Sequence, residues 1–166
     1  DMQDACQARL AEAGFPQYET SAYAQTAHRC WHNLNYWTFG DYLGIGAGAH
    51  GKLSFHDRIV REARVRHPQR YMERALAGDA VEERHEVGAA DLPFEFMLNA
   101  LRLLDGVPTS MFEERTGLSV TSISRRLDEA VQRGLLDPDP SVIRATPLGA
   151  RFLNDLQQRF LQGDTR

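Results

Sequence analysis

The sequence has little of what would mark a membrane, secreted or nucleic-acid-binding protein. Its 166 residues include two cysteines, Cys6 and Cys30. Two are too few for a disulfide framework and agree with a reducing cytoplasm. No apolar run approaches the ~20 residues needed to cross a bilayer. The N-terminal DMQDACQARL lacks the basic-then-apolar layout of a secretory signal and does not start with Met, which points to a piece of a longer protein. Basic excess is lacking as well. The formal net charge is -4, so a bulk attraction for nucleic acid is not written into the composition. What remains is an average globular chain, 42% hydrophobic and 25% charged, long enough for one ordinary core or two small ones.

Hydrophobic periodicity and punctuation predict the elements. Cys6, Leu10 and Ala13 recur at helical spacing over residues 2–13, and Gly14 stops that helix. QYETSAYA reads as one strand, and DYLGIGAG as a buried strand whose glycines admit another backbone or a ligand. KLSFHDRIVREARV predicts a hairpin turning near His56 and Asp57. HPQRYMERALAG predicts a short helix with Pro68 in its first turn and Gly78 beyond its end. DAVEERHEVGAAD reads as an acidic linker, with a domain boundary at residues 80–90.

Beyond the boundary, Asp91 is expected to cap a helix through Leu104 with Phe94, Met97, Leu98, Leu101 and Leu104 on its apolar face. A short helix follows from Thr109 to Gly117, then one capped by Ser119 that carries Val120, Ile123, Leu127, Ala130 and Val131. LLDPDPSVIRAT spells strand, turn and strand. Thr146 and Pro147 open a last helix with Leu148, Phe152, Leu156 and Phe160. Three helices, a hairpin and a helix make a winged-helix layout.

That layout raises DNA binding through Ser122, Arg125, Arg126 and Gln132. Asp128, Glu129, Glu113, Glu114 and the acidic wing DPDPS oppose it, because neutralising phosphate requires a local basic excess. A packing or protein-contact role fits the module better. A zinc site at His28 and His32 would need further ligands at metal spacing, and none follow. Cys30, between them, could be an axial ligand, although a lone buried thiol is the commoner state. His32 supports two readings. Its imidazole can ligate heme iron while Tyr36 and Trp37 enclose a porphyrin face, or it can bond a backbone group while the rings fill core. GIGAGAH is only superficially a dinucleotide loop, since a hairpin rather than a helix follows it.

Taken together and in order, YETSAYA, CWHNLNYW, GDYLGIGAGAHGKLSF and ERHEVGAADLPFEFMLNALRLLDGVP resemble the C-terminal part of the HemW family. These are heme chaperones related to oxygen-independent coproporphyrinogen III oxidase. The resemblance covers nearly the whole chain. It implies an α+β fold: residues 1–80 as the C-terminal strands of a partial (β/α) radical S-adenosylmethionine barrel, with the HNxxYW loop and a hairpin, and residues 81–166 as a mostly helical winged-helix-like domain. It implies heme binding through His32, Asn33, Tyr36 and Trp37, with His32 the candidate iron ligand, and a last barrel strand at Gly44, Gly46 and Gly48 beside the cofactor cavity. The partners it implies are heme or porphyrin, the preceding radical S-adenosylmethionine region and heme-recipient proteins. In the full-length family a 4Fe-4S cluster and S-adenosylmethionine are also bound. The family's C-x3-C-x2-C cluster motif is absent here, and two cysteines cannot supply three thiolates. This stretch alone is therefore not expected to perform radical chemistry. The same resemblance reaches coproporphyrinogen dehydrogenases of heme biosynthesis, whose members differ from the chaperones at HNxxYW.

Overall fold

The computed structural model describes residues 2–161. In chain order its elements are α1 (Met2–Glu12), β1 (Gln17–Glu19), β2 (Ala22–Tyr23), α2 (Trp31–Trp37), β3 (His50–Ser54), β4 (Ile59–Arg64), α3 (Pro68–Leu76) and β5 (Val81–Glu86). There follow α4 (Leu92–Ala100), β6 (Val107–Pro108), α5 (Ser110–Thr116), a 3-10 turn (Val120–Ile123), α6 (Ser124–Gln132), β7 (Val142–Ile143), α7 (Pro147–Arg151) and α8 (Leu153–Gln158). Helices and short antiparallel strands mix throughout. The described residues form two compact units that cut across the sequence order. One joins the residues up to Phe39 with those from Ala90 onward, and the other is Gly40–Ala89.

The first unit is organised around aromatic edges. Phe39, Phe96 and Phe112 are sealed from solvent and meet edge-to-face, with centroids 5.8 and 5.3 Å apart, the arrangement the ring quadrupole favours. Met97, Ala100, Leu156 and Phe160 complete this core. The expected face of α4 is rotated. Leu92, Pro93, Phe96, Met97 and Ala100 are its buried residues, while Leu98 and Leu104 are exposed. The helix also stops at Ala100 rather than Leu104, and Asp91 makes no side-chain cap. Leu101 and Leu103 reach the core from the turn that follows.

QYETSAYA, expected as one strand, is a tight hairpin of β1 and β2. The final helix is broken at Phe152 (φ -110°, ψ 41°). The break leaves Leu148 and Phe152 half-exposed and turns Leu156 and Phe160 inward. Ahead of it, a side chain on Gly149 would run into the Leu135 carbonyl, so α7 lies directly on that backbone. Of LLDPDPSVIRAT, only Val142–Ile143 forms a strand. It pairs with Val107 and Pro108, while Leu136 and Ala145 make a single bridge. The acidic turn between them is a hydrogen-bonding device: Asp139 accepts from the Ser141 amide and hydroxyl, and Arg144 holds Asp137 at 2.7 Å.

In the second unit the hairpin turns where the sequence places it, between Ser54 and Ile59. Helix α3 follows with Pro68 at its start and Gly78 at φ 78° past its end. The acidic linker needs correction, since Val81–Glu86 is the third strand, paired along β4. Its exposed charges hid it from hydropathy, but its backbone completes the ladder and Arg84 pairs with the nearly buried Glu62 at 2.6 Å.

The segment DYLGIGAG also departs from expectation. It is no strand: only Tyr42 bridges, to Lys52, and Ile45 is 85% exposed. Gly46 and Gly48 sit at φ 108° and 71°, which breaks an extended ladder. Gly44 answers to a neighbouring backbone, since a Cβ there would strike the His50 carbonyl. Before this turn Asp41 latches onto β3, accepting from Lys52 Nζ (2.9 Å), the Ser54 hydroxyl (2.7 Å) and the Ser54 amide (2.9 Å). Lys52, the chain's only lysine, is 1% exposed.

Candidate functional site at helix α2

The HNxxYW element is a two-turn helix. Cys30 precedes it in an extended conformation without a side-chain cap. At the other end the Thr38 hydroxyl donates to the Leu34 carbonyl (2.9 Å), and Phe39 enters the left-handed region at φ 57°. The rest of the helix's order comes from packing on α4, because seven residues cannot sustain a helix in water. His28 lies outside α2, exposed, with Nδ1 3.2 Å from the Thr26 carbonyl. It therefore does not share a helical face with His32.

The four residues of the motif divide by environment. His32 is exposed and makes no hydrogen bond among the described residues, so the alternative of a core histidine bonded to backbone does not hold. Tyr36, one turn on, sets its ring edgewise to the imidazole, centroids 4.6 Å apart at 83°. Asn33 is half-buried and donates a long 3.5 Å bond to the hydroxyl of buried Tyr18. Trp37 is half-buried beneath the guanidinium of Arg102, 4.3 Å from its ring centroid. Just before His32, Trp31 stands 81% exposed. Gly44, Gly46 and Gly48 belong to the other unit, where the turn geometry above accounts for each of them.

Arg102 had no signature in the sequence; within LRLLD it reads as one more surface charge. In the fold its Nη2 donates to Glu19 and to the Ser21 hydroxyl, both at 3.0 Å, and Glu19 is 2% exposed. A buried carboxylate requires such a partner. The Nε–H of Arg102 and the indole N–H of Trp37 are buried without a partner among the described residues. Both side chains line a cavity of about 550 Å3 with Thr20, Asn99, Phe152 and Gln157. Only the fold brings this cluster together, since Glu19 and Arg102 lie 83 residues apart.

The residues present fit heme and do not fit a 4Fe-4S cluster. An accessible imidazole, edged by an aromatic ring and free of competing hydrogen bonds, suits a planar iron porphyrin. A 4Fe-4S cluster does not fit: Cys6 and Cys30 are both free and exposed, correcting the buried state expected of Cys30, and they lie 24 positions apart in sequence. Among the described residues no three His, Cys, Asp or Glu side chains gather as a metal site. The outward basic residues of α6 are engaged within the unit, Arg125 with Glu129 (3.6 Å) and Arg126 with the Phe160 carbonyl (3.3 Å). Among the described residues no helix is long and apolar enough to cross a membrane.

Comparison with known proteins finds relatives over most of the chain. Residues 88–152 match the HemN C-terminal domain model. The heme chaperone HemW of Escherichia coli is 47% identical over 153 residues, 92% of this chain and 39% of the relative. That of Haemophilus influenzae is 45% identical over the same shares. Among solved structures, coproporphyrinogen III oxidase (HemN) from Escherichia coli, described as a radical SAM enzyme, superposes over 95% of this chain and 39% of its own, with a TM-score of 0.64 at 15% identity. The chain thus spans about 39% of the length of its curated relatives. Over that span the chain is similar to the heme chaperones HemW, and its residues 88–152 match the HemN C-terminal domain.

Proposed function

We propose that this chain is the heme-contacting, C-terminal portion of a HemW-type heme chaperone, with His32 as the iron ligand. The observation that carries the reading is the exposed, unbonded His32 on α2, in a chain 47% identical to a heme chaperone. In this reading Tyr36 orients the imidazole from its edge, Asn33 ties the helix to Tyr18, and Trp37 anchors it against Arg102. His32 would hold the heme iron through its imidazole, and the iron would supply the redox chemistry of the cargo.

The same proposal takes residues 1–80 as the end of a partial barrel and residues 81–166 as a winged-helix-like domain, with α4, α5, α6 and the β6–β7 ribbon as its parts. Cluster and S-adenosylmethionine binding are assigned to the remainder of the full-length protein, and heme-recipient proteins are its partners. The site lies in a cytoplasmic protein in this reading.

The test is a hemin titration of the full-length protein followed by its Soret band. His32→Ala should shift the band and weaken binding at least about tenfold, and an unchanged spectrum would remove His32 as ligand. Conversion of coproporphyrinogen to protoporphyrinogen by the full-length protein would instead favour the dehydrogenase.

A further inference from the structure

We infer that Trp31, outside the HNxxYW motif, supplies the open aromatic surface against which the tetrapyrrole held at His32 stacks. This rests on the heme-binding reading of α2 and adds to it a residue that the motif does not include.

The motif's own rings are committed elsewhere. Trp37 is half-buried and carries a guanidinium over its ring at 4.3 Å. The ring of Tyr36 is spent on its edge contact with His32. Neither offers a large open surface to a flat ligand. Trp31 does, with 81% of its area exposed. An indole presents roughly 150–250 Å2 of largely apolar surface, and Trp is enriched where proteins bind partners.

Its place in the helix supplies the occupant. Trp31 and His32 are consecutive, about 100° apart around the axis with a rise of about 1.5 Å. An iron porphyrin uses both side chains together: the imidazole takes the metal and the indole takes part of the macrocycle's apolar face. Charge does not compete for the spot. The nearest cationic neighbour in sequence, Arg29, is paired with Asp105 at 2.7 Å and lies against the Tyr18 ring.

The experiment titrates the full-length protein with hemin and with metal-free protoporphyrin IX, comparing wild type, Trp31→Ala, Trp31→Phe and His32→Ala. Trp31→Ala should raise the hemin Kd about tenfold with the Soret maximum in place. Trp31→Phe should recover affinity to within about threefold. Metal-free protoporphyrin should lose affinity in Trp31→Ala and keep it in His32→Ala. A wild-type hemin Kd in Trp31→Ala overturns the inference while leaving the heme reading standing. So does a fall in Tm with no change in Kd, which would make Trp31 a packing residue of the full-length protein. No binding of either probe to wild type overturns both.

Discussion

Phe39 holds a backbone conformation that L-residues avoid, φ 57° directly after α2, where a helix would ordinarily end on glycine. The left-handed region costs roughly 1–2 kcal/mol for a residue with a Cβ. The ring offsets this because it is 1% exposed and locked edge-to-face on Phe96. Phe39→Ala keeps the strained backbone and forfeits the ring, so chemical denaturation should show a loss of about 3–4 kcal/mol. A loss below about 1 kcal/mol would mean the ring is not what fixes the end of α2. Arg102 carries a similar dependence. Removing it strands Glu19 as a buried charge, and Arg102→Ala should cost about 3 kcal/mol. Glu19→Gln combined with Arg102→Met should recover much of that, since no buried charge is then left over. A double-variant loss equal to the sum of the Glu19→Gln and Arg102→Met losses would show that the pair is not coupled.

Among the elements, the Asp41 latch gives a pH-dependent prediction. Burial pushes its carboxyl up, but bonds from the Ser54 amide, the Lys52 ammonium and the Ser54 hydroxyl outweigh this and hold it below the ordinary 3.8. A depressed folded-state pKa means the stabilisation is complete above about pH 4. It is lost as pH falls through the lower folded value. Thermal melts of wild type and Asp41→Asn should therefore differ at neutral pH, and the difference should shrink as pH falls below about 4. The gap should be small, about 1 kcal/mol, because the carboxylate is 43% exposed. A gap that does not narrow on acidification would rule the latch out.

The elements also show how far sequence reasoning reaches. The hairpin of β3 and β4 and helix α3 were legible because alternation, a polar turn, Pro68 and Gly78 all agree locally. Strand β5 was not legible, since Glu82, Glu83, Arg84, His85 and Glu86 mask a ladder that depends on β4. The glycine segment misled for the opposite reason. Its hydropathy suits a strand, but Gly46 and Gly48 hold strand-breaking positive φ and Gly44 lies against the His50 carbonyl. At the candidate site the motif residues could be found by resemblance. Arg102 could not, because nothing local links it to Trp37 or Glu19.

For the molecule as a whole, the controlling feature is the discontinuity of the first unit. Residues up to Phe39 are completed by residues from Ala90 onward, while Gly40–Ala89 is contiguous. A full-length protein truncated after residue 90 should keep amide-exchange protection in β3, β4 and β5 and lose it in β1 and α2. Protection of α2 surviving that truncation would refute the packing described for the helix. The same discontinuity orders events during synthesis. The helix bearing His32 leaves the ribosome before α4 and the turn after it, which supply Phe96 and Arg102 some sixty residues later. A chain whose synthesis stops before α4 therefore has His32 without the aromatic core on which its helix packs.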